Sequence, residues 1–523
     1  MTGTTSLLRL VLRRDRVRLP VWVLAVVALV YASVEAVANT YATPQEIHGY
    51  ASTMGSSPAA VAMAGPPVAL DTVGGIAVNE TGVSALVGVA LMTIFLVVRH
   101  TRAEEEEGRT EVLRSTVVGR HAPMAAALLE SVAASVLVGA GVALSVATLD
   151  VPAGGVLLYG AAVACMGIVF AGVAAVTAQL TAHARGATGL SLTVLAISFL
   201  LRAVGDVQGS WLSWVSPMGW SQQVTAFGEP RWWPLAFSLV LTALAIAAAV
   251  ALAGRRDLGA GIVAARPGPA GAVPRLGTPV GLAWRLQRGS VLGWTVGIFL
   301  GSAAFGSFSR EVSSMVESNP ELADFFAQSG QADLVESFLS SALLIMNLIG
   351  AGFAISSALR LRAEETSGRL EPVLATGVSR GRWLLGGLLV TLAGSLIVVA
   401  AAGLGTGLAH GIVTDDPDAV VRMLGYSLVY LPAVLVLAAV TVLLFGWVPR
   451  LAAVAWVTLA ISFVIGYLGQ LGFPAWFENL SPFTHTPAVP VSTVTVAPLA
   501  TMTVVVVLAC ALGLVGFRRR DIG

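Results

Sequence analysis

The sequence predicts an all-α polytopic membrane protein of about twelve transmembrane helices, arranged as two parallel six-helix repeats. Three observations carry that expectation. Of 523 residues, 56% are hydrophobic and only 11% charged, with a mean hydropathy of +0.83, whereas a soluble domain carries roughly a quarter charged residues. Apolar runs of about 20 residues, each enough to cross a hydrocarbon core of about 30 Å, recur along the whole chain. The polar punctuation of the first half also returns, in the same order, in the second.

A sliding window of about 19 residues places the first six spans near 20–38, 81–98, 123–148, 154–180, 187–205 and 234–253. The next six fall near 291–309, 338–359, 383–409, 420–446, 451–471 and 494–516. Arg9, Arg13, Arg14, Arg16 and Arg18 precede span one, as expected of a basic amphipathic helix on the inner membrane surface. Ala36, Val37 and Ala38 imitate a signal-cleavage site and Arg13-Arg14 a twin-arginine signal. The span is longer than a typical signal-peptide apolar region and is needed for the repeat, so it is expected to be retained. With the N-terminus inside, all of the 30 arginines except Arg202, Arg231, Arg310 and Arg422 fall on the cytoplasmic side, as the positive-inside rule requires. Both termini are then cytoplasmic.

The repeat is explicit. Arg102-Ala103-Glu104-Glu105, Gly108-Arg109, Glu111 and Arg120 recur 260 positions later as Arg362-Ala363-Glu364-Glu365, Gly368-Arg369, Glu371 and Arg380. Leu195 to Phe199 (LAISF) recurs as Leu459 to Phe463, and Trp211 with Ser216-Pro217 as Trp476 with Ser481-Pro482. Arg255-Arg256-Asp257-Leu258-Gly259 recurs as Arg519-Arg520-Asp521-Ile522-Gly523. An even number of spans per half makes the repeats parallel, related by an axis along the membrane normal, with a pathway expected between them. The halves are expected at 1–259 and 281–523, joined by a Pro/Gly/Ala-rich cytoplasmic linker at 260–280. The outer loops near 39–80 and 310–337, the second acidic (Glu311, Glu317, Glu321, Asp324, Asp333, Glu336), are expected to carry amphipathic helices.

Composition excludes whole classes of chemistry. Every basic residue is arginine, so a Walker A loop, a pyridoxal Schiff base and a protein-kinase active site all lack their lysine. Cys165 and Cys510 lie inside apolar runs, so neither a disulfide framework nor a cysteine metal site is expected. No basic tract backed by aromatics offers a nucleic-acid footprint. The six histidines form no tight cluster with acids in the spans, which argues against a metal-dependent enzyme but leaves open a site gathered from distant segments. No metal and no catalytic residue is assigned.

The repeated polar segments, near 102–120 and 362–380, read as short helices with carboxylates in the first turn, where the dipole favours them. Glu105 with Arg109 and Glu365 with Arg369 stand four apart, a pairing that contributes about 0.3–0.5 kcal/mol when exposed. That is too little to explain the segment. Two readings stand: a solvated loop helix duplicated with everything else, or a docking surface for a cytoplasmic partner.

On these motifs the chain resembles the duplicated permease subunits of type-2 ABC exporters, described as polyketide antibiotic or multidrug exporters of high-GC actinobacteria. The R-A-E-E-x-x-G-R-x-E signature, the Ser-Pro turn after span five and the Arg-Arg-Asp-[Leu/Ile]-Gly ending of each half carry the likeness over nearly the whole chain. The resemblance implies that Glu104, Glu105, Gly108, Arg109 and Glu111, and Glu364, Glu365, Gly368, Arg369 and Glu371, form two coupling helices docking two copies of an ABC ATPase. ATP and magnesium would sit on those subunits, with no cofactor in this chain. It further implies export of hydrophobic or amphiphilic compounds such as antibiotics across a bacterial plasma membrane. The copies differ, with Glu106-Glu107 becoming Thr366-Ser367 and Val112 becoming Pro372, so the docking sites are expected to be unequal.

By the same resemblance Trp211, Ser216, Pro217, Trp476, Ser481 and Pro482 form an outer gate of re-entrant helices; the plainer alternative for the tryptophans, Trp214 and Trp220 included, is headgroup anchoring. Met92, Phe95, Phe199, Met346, Phe353 and Phe463, with the polar Glu130 and Asn347, are candidates for the substrate pathway; Gln179 and Glu35 are further intramembrane polar groups. Glu130 lies about 10 Å inside the cytoplasmic boundary, and its counterpart is Val390. It either binds a cationic group or makes a structural hydrogen bond. Membrane lipid is the remaining expected partner. The competing classes are an ion-coupled secondary transporter of 6+6 spans and a membrane-embedded enzyme or scaffold.

Overall fold

The computed structural model describes residues 2–56, 58–263, 271–309, 312, 334–468 and 474–521, and every regular element among them is helical. Twelve helices of the described residues are long and apolar enough to cross a membrane. Spans one to six are Arg18–Thr40, Val73–Glu106, Ala122–Val146, Ala153–Leu180, Ala184–Gln208 and Pro234–Gly254. Spans seven to twelve are Pro279–Ser307, Val335–Thr366, Arg380–Thr414, Ala419–Trp447, Pro449–Gly466 and Val496–Arg519. The protein is therefore a multi-pass membrane protein. The chain divides into two compact units, Met1–Gly268 and Pro269–Gly523.

Helix starts follow their residues. Thr72, Thr278 and Ser379 each accept a hydrogen bond from the amide three residues on (3.1–3.3 Å), satisfying one orphan donor of the first turn. Pro234 and Pro279 sit in first turns, where the missing N–H forfeits nothing. Span two runs well past its apolar stretch, through a π-helical turn at Arg99–Ala103 into Glu104–Glu106.

In the first unit, Val30, Val34, Ile76, Val89, Val138, Val163 and Phe170 form one continuous core among spans one to four. Spans three and four meet backbone to backbone: a Cβ on Gly139 would stand 2.4 Å from the Gly160 carbonyl oxygen, and one on Gly160 2.5 Å from that of Gly139. Small residues permit such approach where lipid supplies no hydrophobic drive between helices. The segment between spans one and two carries two helices, Pro44–Ser56 and Pro58–Ala64. Tyr50 of the former donates toward Asn79 and Glu80 of span two (2.8 and 2.6 Å), and burial beside Glu80 pushes its phenol pKa far up.

In the second unit the same span order packs differently. Span nine is close to span seven, with Gly405 against Phe299 and Gly306 against Thr406. Span ten is two helices, Ala419–Leu428 and Leu431–Trp447, broken where Pro432 removes a ladder donor. The acidic positions Glu311, Glu317, Glu321, Asp324 and Asp333 lie outside the described residues.

Candidate functional site

The repeated polar segments are not built as expected. Glu104 and Glu105 do not open a short helix; they lie in the last turns of span two, and Glu364 and Glu365 in the last turns of span eight. The dipole there favours cations, so arginines surround them instead. Gly108 and Gly368, at φ 73° and 69°, end those helices in the left-handed conformation that glycine adopts at least cost. In the second copy, Gly368 N donates to Glu365 O and Arg369 N to Glu364 O (both 3.0 Å), the Schellman pattern. Only then come the short helices, Arg109–Arg114 and Leu370–Ala375.

The turn at glycine breaks the anticipated i,i+4 pairs. Arg109 is off the helical register of Glu105 and binds Glu104 (Nε to Oε2, 2.8 Å) and Glu107. Arg369 likewise reaches Glu364 (3.8 Å) rather than Glu365. Glu105 and Glu365 turn inward to the other repeated motif. Arg256 donates from Nη2 and Nη1 to both oxygens of Glu105 (2.6 and 2.8 Å) and from Nε to Gln179 Oε1 (2.7 Å). Arg520 donates to Glu365 Oε2 (2.5 Å), its guanidinium over the rings of Phe445 and Phe517 at 4.9 and 5.3 Å. Arg120 and Arg380 complete the arrangement by donating to Ala253 O and Arg520 O (2.5 and 2.7 Å). The signature segment and the Arg-Arg-Asp tail of each half thus form one latch, closed by a bidentate pair in the first half. Gln179 belongs to this latch.

The latch leaves a face outward. Arg109, Glu111 and Val112 in the first copy and Gly368, Arg369, Glu371 and Pro372 in the second are exposed, while Glu104, Glu105, Glu364 and Glu365 are buried or half-buried. Val112 and Val117 are apolar side chains left 70% and 89% exposed. Arg14 of the N-terminal helix Thr4–Arg14 also grips Glu104 (2.9 Å), a contact that raises the guanidinium pKa above its ordinary value. Glu106 caps span five instead, accepting from Ala184 N (3.0 Å) and facing His183 Nδ1 (3.2 Å). Thr366, its counterpart, has no such carboxylate to offer.

At the opposite end of the spans, the serines of the Ser-Pro turns are buried. Ser216 donates to Ser198 O (2.6 Å) and caps the helix Pro217–Gln222 through Gly219 N (3.3 Å). Ser221 of that helix donates to Ala162 O (3.4 Å), nine residues and so about 14 Å into span four, so the short helix packs along span four and not beyond its end. In the second half, Ser481 is equally buried and accepts from Phe483 N (3.2 Å). Trp211 and Trp476 are 72% and 70% exposed, as headgroup anchors are. Arg202, buried in span five, donates to Val61 O and Met63 O (both 3.3 Å), and Gln222 to Ala64 O (2.8 Å), so the helix Pro58–Ala64 is clamped by both.

The pathway candidates do not converge within either unit. Met92 is enclosed in the first core, Phe95 faces outward against Trp22 (6.0 Å between rings), and Phe199 lies under Arg202 (4.7 Å). Phe353 is enclosed in a core with Met346, Asn347 donates to Leu343 O and Ser427 Oγ (2.9 and 3.0 Å), and Phe463 is 41% exposed. Glu35 lies on an exposed face of span one. Glu130 is fully buried, beside Asp15 and His100. That grouping is of the kind the sequence left open, gathered from three separate elements whose distance along the chain hid it. The sequence signals were Glu130 itself, an acid inside an apolar span, and Asp15, an acid alone among five arginines.

Comparison with known proteins fits this architecture. The multidrug efflux system permease protein Rv1217c of Mycobacterium tuberculosis (strain ATCC 25618 / H37Rv) is 42% identical over 525 aligned residues, covering 100% of this chain and 95% of that protein. The chain belongs to this multidrug efflux permease family. A family model described as the C-terminal domain of the same permease matches residues 276–518, essentially the second repeat. As a multidrug efflux permease, the protein is a transporter component rather than an enzyme.

Proposed function

We propose that this chain is the membrane subunit of an ABC exporter, moving hydrophobic or amphiphilic compounds outward across the bacterial plasma membrane with power from two copies of a separate ATPase. The observation that carries the reading is the pair of latched segments. Each presents a short exposed helix rigidly tied to the ends of spans two, four and six, or to spans eight and twelve, so a force applied there reaches the membrane helices. The absence of lysine supports the division of labour, since the phosphate-binding loop must reside on another chain. ATP and magnesium would be held by those partners, and both termini of this chain would face the cytoplasm. The efflux system named for the mycobacterial relative supports drug-like substrates, with membrane lipid as the other candidate.

The docking residues are the outward ones: Arg109, Glu111, Arg369 and Glu371, with Val112 and Pro372. The buried Glu104, Glu105, Glu364 and Glu365 position them. The test is gentle extraction from the native membrane, followed by subunit stoichiometry and ATPase assay. Two ATPase subunits per chain, with turnover altered by hydrophobic drugs, are expected. A lone chain without ATP turnover would overturn the reading. Buried Glu130 is the observation that favours an ion-coupled transporter instead; transport surviving ATP depletion under an imposed proton gradient would establish that alternative.

A further inference from the structure

Asp15 terminates the N-terminal helix, His100 lies on the π-helical turn of span two, and Glu130 is eight residues into span three. Their exposures are 0%, 4% and 0%. His100 Nε2 stands 2.5 Å from Asp15 Oδ2 and 3.5 Å from Glu130 Oε2, and one donor atom from each residue lies within 4.8 Å of the others. Neither oxygen of Glu130 accepts a hydrogen bond, and His100 Nδ1 has no partner. Arg99 binds the other oxygen of Asp15 (Nη1 to Oδ1, 2.9 Å), but its side chain is 27% exposed and reaches solvent.

Asp15 is thus met on one oxygen by Arg99 and on the other by a hydrogen bond with His100, whereas Glu130 is enclosed beside it with neither oxygen hydrogen-bonded. A buried carboxylate without a donor loses its hydration with no return. One imidazole nitrogen and two carboxylate oxygens from three elements make a ligand set suited to a borderline ion such as zinc; calcium and magnesium prefer oxygen throughout. A divalent charge also matches the two enclosed anions. Arg99, on the far oxygen of Asp15, is placed as an outer-shell support for that ligand.

The second half lacks the whole set. Aligning Arg13, Arg16 and Trp22 with Arg285, Arg288 and Trp294 puts Gln287 opposite Asp15, and the 260-residue offset puts Arg360 opposite His100 and Val390 opposite Glu130. There Gln287 accepts from Ser357 Oγ (2.6 Å), which pairs with Thr391 Oγ1 (2.8 Å), a neutral network complete in itself. The charged cluster is thus no by-product of the duplicated architecture. We propose that Asp15, His100 and Glu130 bind one divalent transition-metal ion of the zinc type, pinning the N-terminal helix to spans two and three. Because Arg14 adjoins Asp15 and grips Glu104, the ion holds that helix against the latch of the first half. This assignment is independent of which partner powers transport.

The experiment uses the full-length chain, purified in detergent, stripped with a chelator and titrated with zinc or cobalt, with bound metal measured by mass spectrometry and thermal unfolding followed in parallel. One ion per chain and a raised unfolding temperature are expected. His100→Gln and Glu130→Gln are expected to weaken binding by at least about tenfold, and His48→Gln, at an exposed histidine of the helix Pro44–Ser56, to leave it unchanged. His100→Cys guards against loss by misfolding: it keeps a ligand, so cobalt binding persists and gains a sulfur-to-cobalt charge-transfer band. Metal uptake absent from the stripped wild-type chain, or equal in His100→Gln and wild type, overturns the proposal. So does an unfolding temperature that follows pH alone and ignores both metal and chelator, which would assign the compensating charge to a proton.

Discussion

The two halves carry the same span order and the same polar signatures, yet their third and fourth spans touch at different places and over different lengths. In the first half span three lies against span four through Gly139 and Gly160. Val399 stands 260 positions after Gly139, and its carbonyl receives a hydrogen bond from Ser427 Oγ (2.7 Å); the backbone approach is displaced along the span, to Gly403 and Gly407, whose Cβ atoms would lie 2.6 Å from Met423 O and 2.9 Å from Ala419 O. Span nine thus meets mainly the first helix of span ten, leans on span seven through Gly405, and leaves the second helix of span ten to span twelve, where a Cβ on Gly446 would lie 2.2 Å from Gly513 O. Hydropathy sets the number of helices, but the placement of glycines decides which pairs touch.

The strongest way to break this comparison is to remove the glycines. Gly139→Leu and Gly405→Leu each drive a side chain into a neighbouring carbonyl that cannot yield, so each is expected to abolish a monodisperse, heat-cooperative preparation, an effect of about 3 kcal/mol or more. Gly425→Leu, with nothing within 4 Å of its Cβ, is the control and should behave as wild type. If Gly139→Leu were tolerated while Gly405→Leu was not, the first-half contact would be incidental.

Next in size are the latches. Arg256 and Glu105 have side chains only 7% and 10% exposed, against 19% and 13% for Arg520 and Glu365. Glu105→Arg leaves Arg102 and Arg256 facing a third cation and is expected to destabilise by about 3 kcal/mol; Glu365→Arg, opposite one less buried arginine, by about 1–2 kcal/mol. The double exchange Glu105→Arg with Arg256→Glu should recover part of the loss in a double-mutant cycle. Equal losses in the two halves would show that burial does not grade the latches.

How much of this was legible in advance follows from chain distance. Spans and repeats are local or fixed-offset properties, and the sequence displays both. The glycine that ends each signature helix was visible as Gly108 and Gly368, but the helix boundary was misplaced because the charged run Glu104–Glu107 reads as a loop, although arginines carry it into span two. The partner of Glu105 lies 151 residues away at Arg256, and nothing local distinguishes that arginine from Arg255. The Ser198–Ser216 contact is the same lesson: LAISF and Ser-Pro were both seen as repeats, and their pairing (2.8 Å between hydroxyls) was not.

A smaller effect on stability, and a sharper one on assembly, is expected at the outward faces. Glu111→Arg and Glu371→Arg alter exposed side chains, so unfolding should change by no more than about 0.5 kcal/mol, while copurification of the ATPase falls. The surroundings differ: Val112 and Val117 flank the first, Pro372 the second. The two substitutions are therefore expected to differ in severity, read from the ATPase retained per chain by quantitative mass spectrometry. Undiminished retention in the double variant would remove these faces from the docking surface.

The smallest expected effect tests why the second half opens between spans nine and ten. Leu385, Leu389, Leu392, Ala438, Val507 and Cys510 line an apolar groove of about 370 Å³ there. Span four, the counterpart, runs unbroken from Ala153 to Leu180 and leaves span three no such gap. If Pro432 causes the gap, Pro432→Ala should restore the helix ladder, draw Leu431–Trp447 toward span nine and narrow the groove. In a Cys165→Ser background, Cys510 then reports directly: a membrane-permeant maleimide should label it more slowly, by about twofold, in the Pro432→Ala chain. An unchanged rate would shift the cause to the Gly446–Gly513 contact, which holds the lower half of span ten against span twelve whether or not its helix is continuous.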